Sequence, residues 1–240
     1  LQNRMMNGMM SELGVYLDAA EEIPASSTSY RPESCMDYEA GLRFGINAAG
    51  HLLTASATAY HISCRNQQIT VFPRGKGTGR MMANAAKSRS RGVESELSWR
   101  WKGLNVNFSA SFMDARFFSY DDGHEDYSGN RIPYSPSSSL YARAGYRFDF
   151  NSKFLNSLML SADILWNGSV SWNESGTLVQ PPYSLIGFDA RLSFRKVQFF
   201  VRVENLADTS YSVFYFKSVG NSFFQTGKPR RFNAGIALDF

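Results

Sequence analysis

An all-β, antiparallel fold of about ten strands is what this sequence predicts, and three observations lead there. Apolar and polar residues alternate with period two along one segment after another. No stretch shows the three-to-four-residue periodicity of an amphipathic helix. The connections between the alternating segments are short and long in turn.

The elements follow in chain order. "SELGVYLDAAEEI" reads as a first strand. Next, Tyr38, Ala40, Leu42, Phe44 and Ile46 alternate with Asp37, Glu39, Gly41, Arg43 and Gly45. The stretch from Leu53 to His61 is a weaker strand with Ala55, Ala57 and Ala59 on one face. Val93, Leu97, Trp99 and Trp101 alternate with Glu94, Glu96, Ser98 and Arg100. Leu104, Val106, Phe108, Ala110 and Phe112 form the next stripe, and Leu140, Ala142, Ala144, Tyr146 and Phe148 another. Leu158 to Trp166, Ile186 to Phe194 and Val197 to Val203 continue the series. The last strand sets Phe232, Ala234, Ile236, Leu238 and Phe240 against Arg231, Asn233, Gly235, Ala237 and Asp239.

Short turns are expected at Ala49-Gly50, Lys102-Gly103, Asn151 to Asn156 and Arg195-Lys196, and long polar segments near 21–34, 73–87, 120–137, 173–182 and 217–229. Short connections on one side and long ones on the other are the pattern of an antiparallel transmembrane β-barrel. Several strands run to about ten residues or more, against about 5–6 in soluble sheets. Arg, Glu and Asp sit in mid-strand on the polar face, which suits a wet lumen. A soluble β-sandwich is the alternative, since it alternates too. With a mean hydropathy of −0.30, no apolar run reaches the roughly 18 residues of a spanning helix.

The net charge of +4 is spread along the chain rather than gathered in one patch, so a nucleic-acid partner is not expected. "LQNRMMNGMMSEL" lacks the basic start and unbroken apolar core of a leader, so the chain reads as mature or as a fragment. The histidines His51, His61 and His124 and the two cysteines show no zinc spacing, and no metal or cofactor is expected.

Asn233, Gly235, Leu238 and Phe240 resemble the C-terminal signal of bacterial outer-membrane barrels. The resemblance implies an assembly signal read by the barrel-assembly machinery, with Phe240 in the periplasmic aromatic girdle. Further segments resemble the TonB-dependent outer-membrane receptors. They are Pro32, Glu33, Tyr38, Glu39 and Gly41; Gly92 and Glu94; Gly129, Asn130, Ile132, Pro133 and Pro136; Asn205, Leu206, Asp208 and Tyr211; and Gly227, Pro229, Arg230 and Phe232. These motifs occur in the family's order across about residues 30–240. The resemblance implies a barrel of about 22 strands with a plugged lumen. Residues 1–240 then form a single, incomplete domain, the C-terminal portion of that barrel without its plug. The implied partners are outer-membrane lipid, a scarce nutrient, most commonly a ferric siderophore, and the TonB energy-coupling protein, reached through the missing plug.

Candidate ligand contacts fall in the long connections. Arg74, Lys76 and Arg80 open the densest positive stretch, suited either to an anionic ligand or to lipopolysaccharide phosphates. Tyr120, Tyr127 and Tyr134 beside one long connection, and Phe214, Tyr215, Phe216, Phe223 and Phe224 around another, offer rings for stacking on a ligand or belong to the aromatic belt of the lipid interface. The acidic "DDGHEDY" reads as a solvated loop tip. Pairing the strands around a two-residue turn at Ala49-Gly50 sets Cys35 opposite Cys64, a candidate disulfide; two free thiols are the alternative. Glu39, Arg43, Glu94, Arg143, Asp163, Asp189, Arg202 and Glu204 are expected to line the lumen as a structural polar surface. The leading function is a receptor without covalent chemistry. A small outer-membrane protease or lipid hydrolase, needing a positioned His, and a passive pore are the alternatives.

Overall fold

The computed structural model describes residues 31–71, 81–121, 125–218 and 221–238. The expected strand at 11–23 lies outside them, as do Arg74, Lys76, Arg80, His124 and Phe240. The described residues hold thirteen strands: β1 (Ser34–Ala48), β2 (His51–Val71), β3 (Met81–Trp101), β4 (Leu104–Tyr120), β5 (Ser138–Asp149), β6 (Leu155–Asn167), β7 (Val170–Ser171), β8 (Val179–Gln180), β9 (Tyr183–Phe194), β10 (Val197–Glu204), β11 (Ser212–Ser218), β12 (Asn221–Thr226) and β13 (Arg231–Leu238). Nine of them form one sheet in the order β1-β2-β3-β4-β5-β6-β9-β10-β13. The remaining four make two small hairpins, β7-β8 and β11-β12. No helix occurs among the described residues.

Each alternating segment after residue 31 is thus a strand of the sheet, paired antiparallel with its neighbours where the register is resolved. Three expected loops are corrected. Residues 81–87 belong to β3, and 221–226 and 179–180 are the second strands of the hairpins. The first was missed because Met81, Met82, Ala83, Ala85 and Ala86 are small or apolar on consecutive positions and show no alternation.

By compactness the chain divides into two units. The larger unit holds residues 39–60, 92–114 and 133–240. Its sheet is inside-out by the standards of a soluble protein. Leu42 is 83% exposed and Ile236 64%, while Asp189 and Ser161 are each 3% exposed. Apolar side chains on the open face and buried polar ones opposite suit a wall with lipid outside and water inside.

Glycines on the polar face seat rings from the neighbouring strand. A Cβ at Gly92 would lie 2.6 Å from the Tyr60 hydroxyl oxygen, and one at Gly235 would lie 2.5 Å from Cζ of Phe200. Phe200 stands directly opposite Gly235 in the ladder. Each ring covers backbone that the absent side chain leaves bare.

The smaller unit takes residues 61–91 and 115–132 with the chain up to residue 38. Its small core is Ala86, Phe117 and Tyr120, with Tyr127 and Ile132 packed against it. β2 and β3 are each 21 residues long, whereas a spanning strand needs about 9–11. Their turn-distal portions therefore continue into water, which is where the alternation of β3 ends. Cys35 on β1 and Cys64 on β2 are joined by a disulfide, with their Cα atoms 4.1 Å apart.

Two outcomes follow. Gly235→Ala forces Phe200 off its seat and lowers the stability of the folded barrel by about 1–3 kcal/mol, read as a lower urea midpoint in detergent. Thiol titration of the denatured, unreduced protein finds no free thiol, and reduction releases both.

Candidate functional site

The polar face of the larger unit carries an ion-paired cluster built by strand register. Arg143 stands opposite Asp163 across β5-β6, Ser161 opposite Asp189 across β6-β9, and Arg202 opposite Asp189 across β9-β10. Because all occupy the same parity of the pleat, their side chains converge. Arg143 Nη1 lies 3.2 Å from Asp163 Oδ1, and its Nη2 donates to Asp189 Oδ1 and, at 2.7 Å, to Ser161 Oγ. The Ser161 hydroxyl also donates to Asp189 Oδ1. Arg202 bridges both acids, 3.3 Å from Asp163 and 3.9 Å from Asp189, and its Nε donates to Glu204 at 3.4 Å. Arg231 closes the chain by donating to Glu204.

Gly187 leaves the room this cluster needs, since a Cβ there would meet Asp163 Oδ2 at 2.6 Å. Asp189 Oδ2 is buried and accepts no hydrogen bond, although Arg191 Nε stands 3.4 Å away. Beside it runs a groove of about 340 Å³ lined by Arg191, Arg202, Glu204 and Arg231. A second hollow, about 460 Å³, has Arg43, Glu96, Asn107 and Tyr141 on its walls. These fixed charges offer donors and acceptors to whatever fills the lumen.

At the long-connection end of the same unit, three segments are tied together. Tyr134 N–H donates to the Ser171 carbonyl at 2.8 Å, and Ser137 N–H to the Ser169 carbonyl at 3.1 Å. Tyr134 also stacks on Phe214 and tilts against Trp172, both at 5.6 Å between ring centres. Its hydroxyl donates to the Tyr215 carbonyl at 3.0 Å. The β4-β5 connection, the β7-β8 hairpin and the β11-β12 hairpin thereby share one aromatic joint. Tyr215 is half-buried, and its hydroxyl donates to Ser222 at 2.8 Å. Phe224, on the same hairpin, is 65% exposed.

A clasp closes the base of the β10-β13 connection. Asn205, buried and in the left-handed region at φ 50°, donates through Nδ2 to the carbonyls of Thr209 (3.0 Å) and Lys228 (3.1 Å). Its Oδ1 accepts the Thr209 N–H at 2.9 Å. Asp208 accepts the Arg230 N–H at 2.8 Å. Tyr211 lies so close over Gly227 that a Cβ there would overlap its ring, and it stacks on Tyr183 at 4.5 Å. The segments Asn205–Tyr211 and Gly227–Arg230, read separately in the sequence, are two halves of one joint.

In the smaller unit, Tyr120 is 4% exposed, edge-on to Phe117 at 4.7 Å and tilted against Tyr127 at 5.2 Å. Its ring is committed to packing rather than offered to solvent. Ser128 holds the tip of this segment. Its hydroxyl and N–H bond to Asp126 and keep that carboxyl below the usual range, while Ser128 Oγ accepts the Tyr120 N–H at 3.0 Å. The structure therefore brings Tyr215 into the aromatic joint of the larger unit and places Tyr120 and Tyr127 in the core of the smaller one. Trp172 was missed by sequence reasoning; it sat just before a segment read as polar loop.

A family model described as TonB dependent receptor-like, beta-barrel matches residues 16–206. Among solved structures, the chain is similar to the ferric yersiniabactin uptake receptor FyuA of Yersinia pestis, at 21% identity and TM-score 0.68, covering 85% of this chain and 29% of that one. It is similar to BauA, the ferric preacinetobactin receptor of Acinetobacter baumannii, at 17% identity and TM-score 0.70, covering 92% and 32%. It is also similar to the ferric-catecholate import receptor Fiu of E. coli K12, at 18% identity and TM-score 0.65, covering 93% and 30%. The chain spans about a third of the length of the solved receptors it matches.

Removing one arm of the cluster tests its coupling. Arg143→Leu removes the nearer of the two guanidinium groups that reach Asp163 and Asp189, leaving Arg202 to hold both, and destabilises the barrel by about 3 kcal/mol. Arg143→Leu combined with Asp189→Leu costs less than the sum of the single changes, as read from urea unfolding of all four members of the cycle.

Proposed function

The chain belongs to the TonB-dependent receptor-like β-barrel family, and on that premise we propose that it forms the wall and part of the outer face of a receptor that imports a ferric siderophore. The family is one of outer-membrane transporters rather than enzymes. Energy coupling enters through the TonB protein by way of a plug, and the ion-paired face is the surface that plug would rest against. The C-terminal strand, with Asn233, Gly235 and Leu238 on β13 and Phe240 beyond it, is read by the barrel-assembly machinery.

The observation that carries this reading is the aromatic joint of Tyr134, Trp172 and Phe214. It makes three long connections one preorganised platform at the mouth of a polar passage, and preorganisation lowers the ordering cost of binding. Iron as cargo is suggested by the similar solved receptors, which are named for ferric yersiniabactin, ferric preacinetobactin and ferric catecholate. Arg74, Lys76 and Arg80 would attract an anionic chelate, Tyr215 would contact it, and Tyr120 and Tyr127 would hold their own segment in place.

Growth of a strain dependent on the receptor containing this chain, fed single ferric siderophores under iron limitation, tests the reading. One siderophore supports growth only when the receptor and TonB are both present. Trp172→Ala weakens binding of that siderophore by roughly tenfold, in line with about 0.5–1.5 kcal/mol per aromatic pair. Failure of every ferric siderophore, with uptake of another nutrient intact, refutes the cargo assignment.

A further inference from the structure

The turn ends of the strands carry a repeated arrangement that cargo transport does not use. Lys102 and Arg195 each occupy a left-handed position in a short turn, at φ 51° and 53°, where a residue with a side chain is uncommon. Each lays its cation over an aromatic ring, Lys102 Nζ 4.8 Å from the centre of Trp101 and Arg195 4.4 Å from the centre of Phe154. Behind Trp101, His51 stacks at 5.1 Å, and the Trp99 indole N–H donates to His51 Nδ1 at 3.2 Å. Behind Phe154, Phe194 stacks at 6.2 Å, and the Arg195 backbone is held by the Phe154 carbonyl at 3.0 Å and by Asn156.

These rings end the apolar stripes of their strands, so they sit where hydrocarbon gives way to headgroups. Short turns mark the periplasmic side. Lys196, next to Arg195, and Lys153, in the β5-β6 turn next to Phe154, are exposed as well. The nearby acid is Asp149, and it is paired with Arg147 at 2.7 Å. None of Lys102, Lys153, Arg195 and Lys196 has a carboxylate partner among the described residues. Among the described residues the rim thus carries four cations with no carboxylate partner, two of them fixed against rings at headgroup depth.

We propose that this periplasmic rim binds the phosphate of anionic phospholipids in the inner leaflet of the outer membrane, with Lys102 over Trp101 and Arg195 over Phe154 as its two headgroup sites. The occupant follows from charge complementarity and depth. A phosphodiester anion supplies the missing counter-charge, while its acyl chains lie along the exposed apolar face.

Native mass spectrometry of the detergent-purified receptor, with added phosphatidylglycerol or phosphatidylcholine, tests this. Phosphatidylglycerol is retained in preference to phosphatidylcholine. Lys102→Gln with Arg195→Gln reduces that retention about 25-fold, at roughly fivefold per cation. Lys102→Arg with Arg195→Lys preserves it, and Lys228→Gln, in the β10-β13 connection, leaves it unchanged. Equal retention of the two lipids by the wild type overturns the proposal, as does undiminished retention by the folded double Gln variant. Should that variant fail to fold, salt decides on the wild type: added salt releases the phosphatidylglycerol, and indifference to salt overturns the proposal.

Discussion

Hydrocarbon offers no hydrogen-bond partner, and nearly every feature of this chain answers to that fact. Backbone groups within the bilayer must bond to a neighbouring strand, so the strands pair in continuous antiparallel ladders from β4 to β13. Side chains facing lipid must be apolar, so Leu42, Phe232 and Ile236 stand bare where a soluble protein would hide them. Charges are left with one direction to face. Crowded there, Arg143, Asp163, Asp189 and Arg202 neutralise one another, which limits the cost of burying Asp189.

The main strands were legible because a period of two survives wherever one face meets lipid and the other water. Val93 to Trp101 and Leu140 to Phe148 announce themselves for that reason. Where the covered face is lined by small polar residues the signal lapses, as from Lys87 to Arg91 with Ser88 buried, and β3 was read as starting late. The β11-β12 hairpin was hidden by the opposite fault. Val213 to Phe216 and Phe223-Phe224 are apolar on consecutive positions, which fits neither a loop nor a half-buried strand. The two-residue strands β7 and β8 are too short to hold any period.

The candidate site was legible as an inventory and not as an arrangement. The lumen charges could be named from parity alone, but which acid faces which base depends on the stagger between strands. Asp189 meets both Ser161 and Arg202 because two neighbouring ladders place all three in one row. The aromatic positions mislead in a similar way. Tyr120 and Tyr215 look alike in sequence, each near a long connection, yet one is buried beside Phe117 and the other joins the tie between loops. The paired motifs around Asn205 and Gly227 owe their spacing to the hairpin they fasten, a purpose seen only once both halves are in contact.

The bond between Cys35 and Cys64 has a bearing on how such a wall is built. Slipping one strand by a single residue would turn its whole greasy side toward water. Within the described sheet β1 pairs with β2 alone, so that one pairing sets its register. Oxidation in the compartment crossed on the way to the membrane can join these sulfurs only when the hairpin around Ala49-Gly50 is correctly aligned. Once closed, the link works as a proofreading latch, delivering two strands already in step to whatever machinery inserts them.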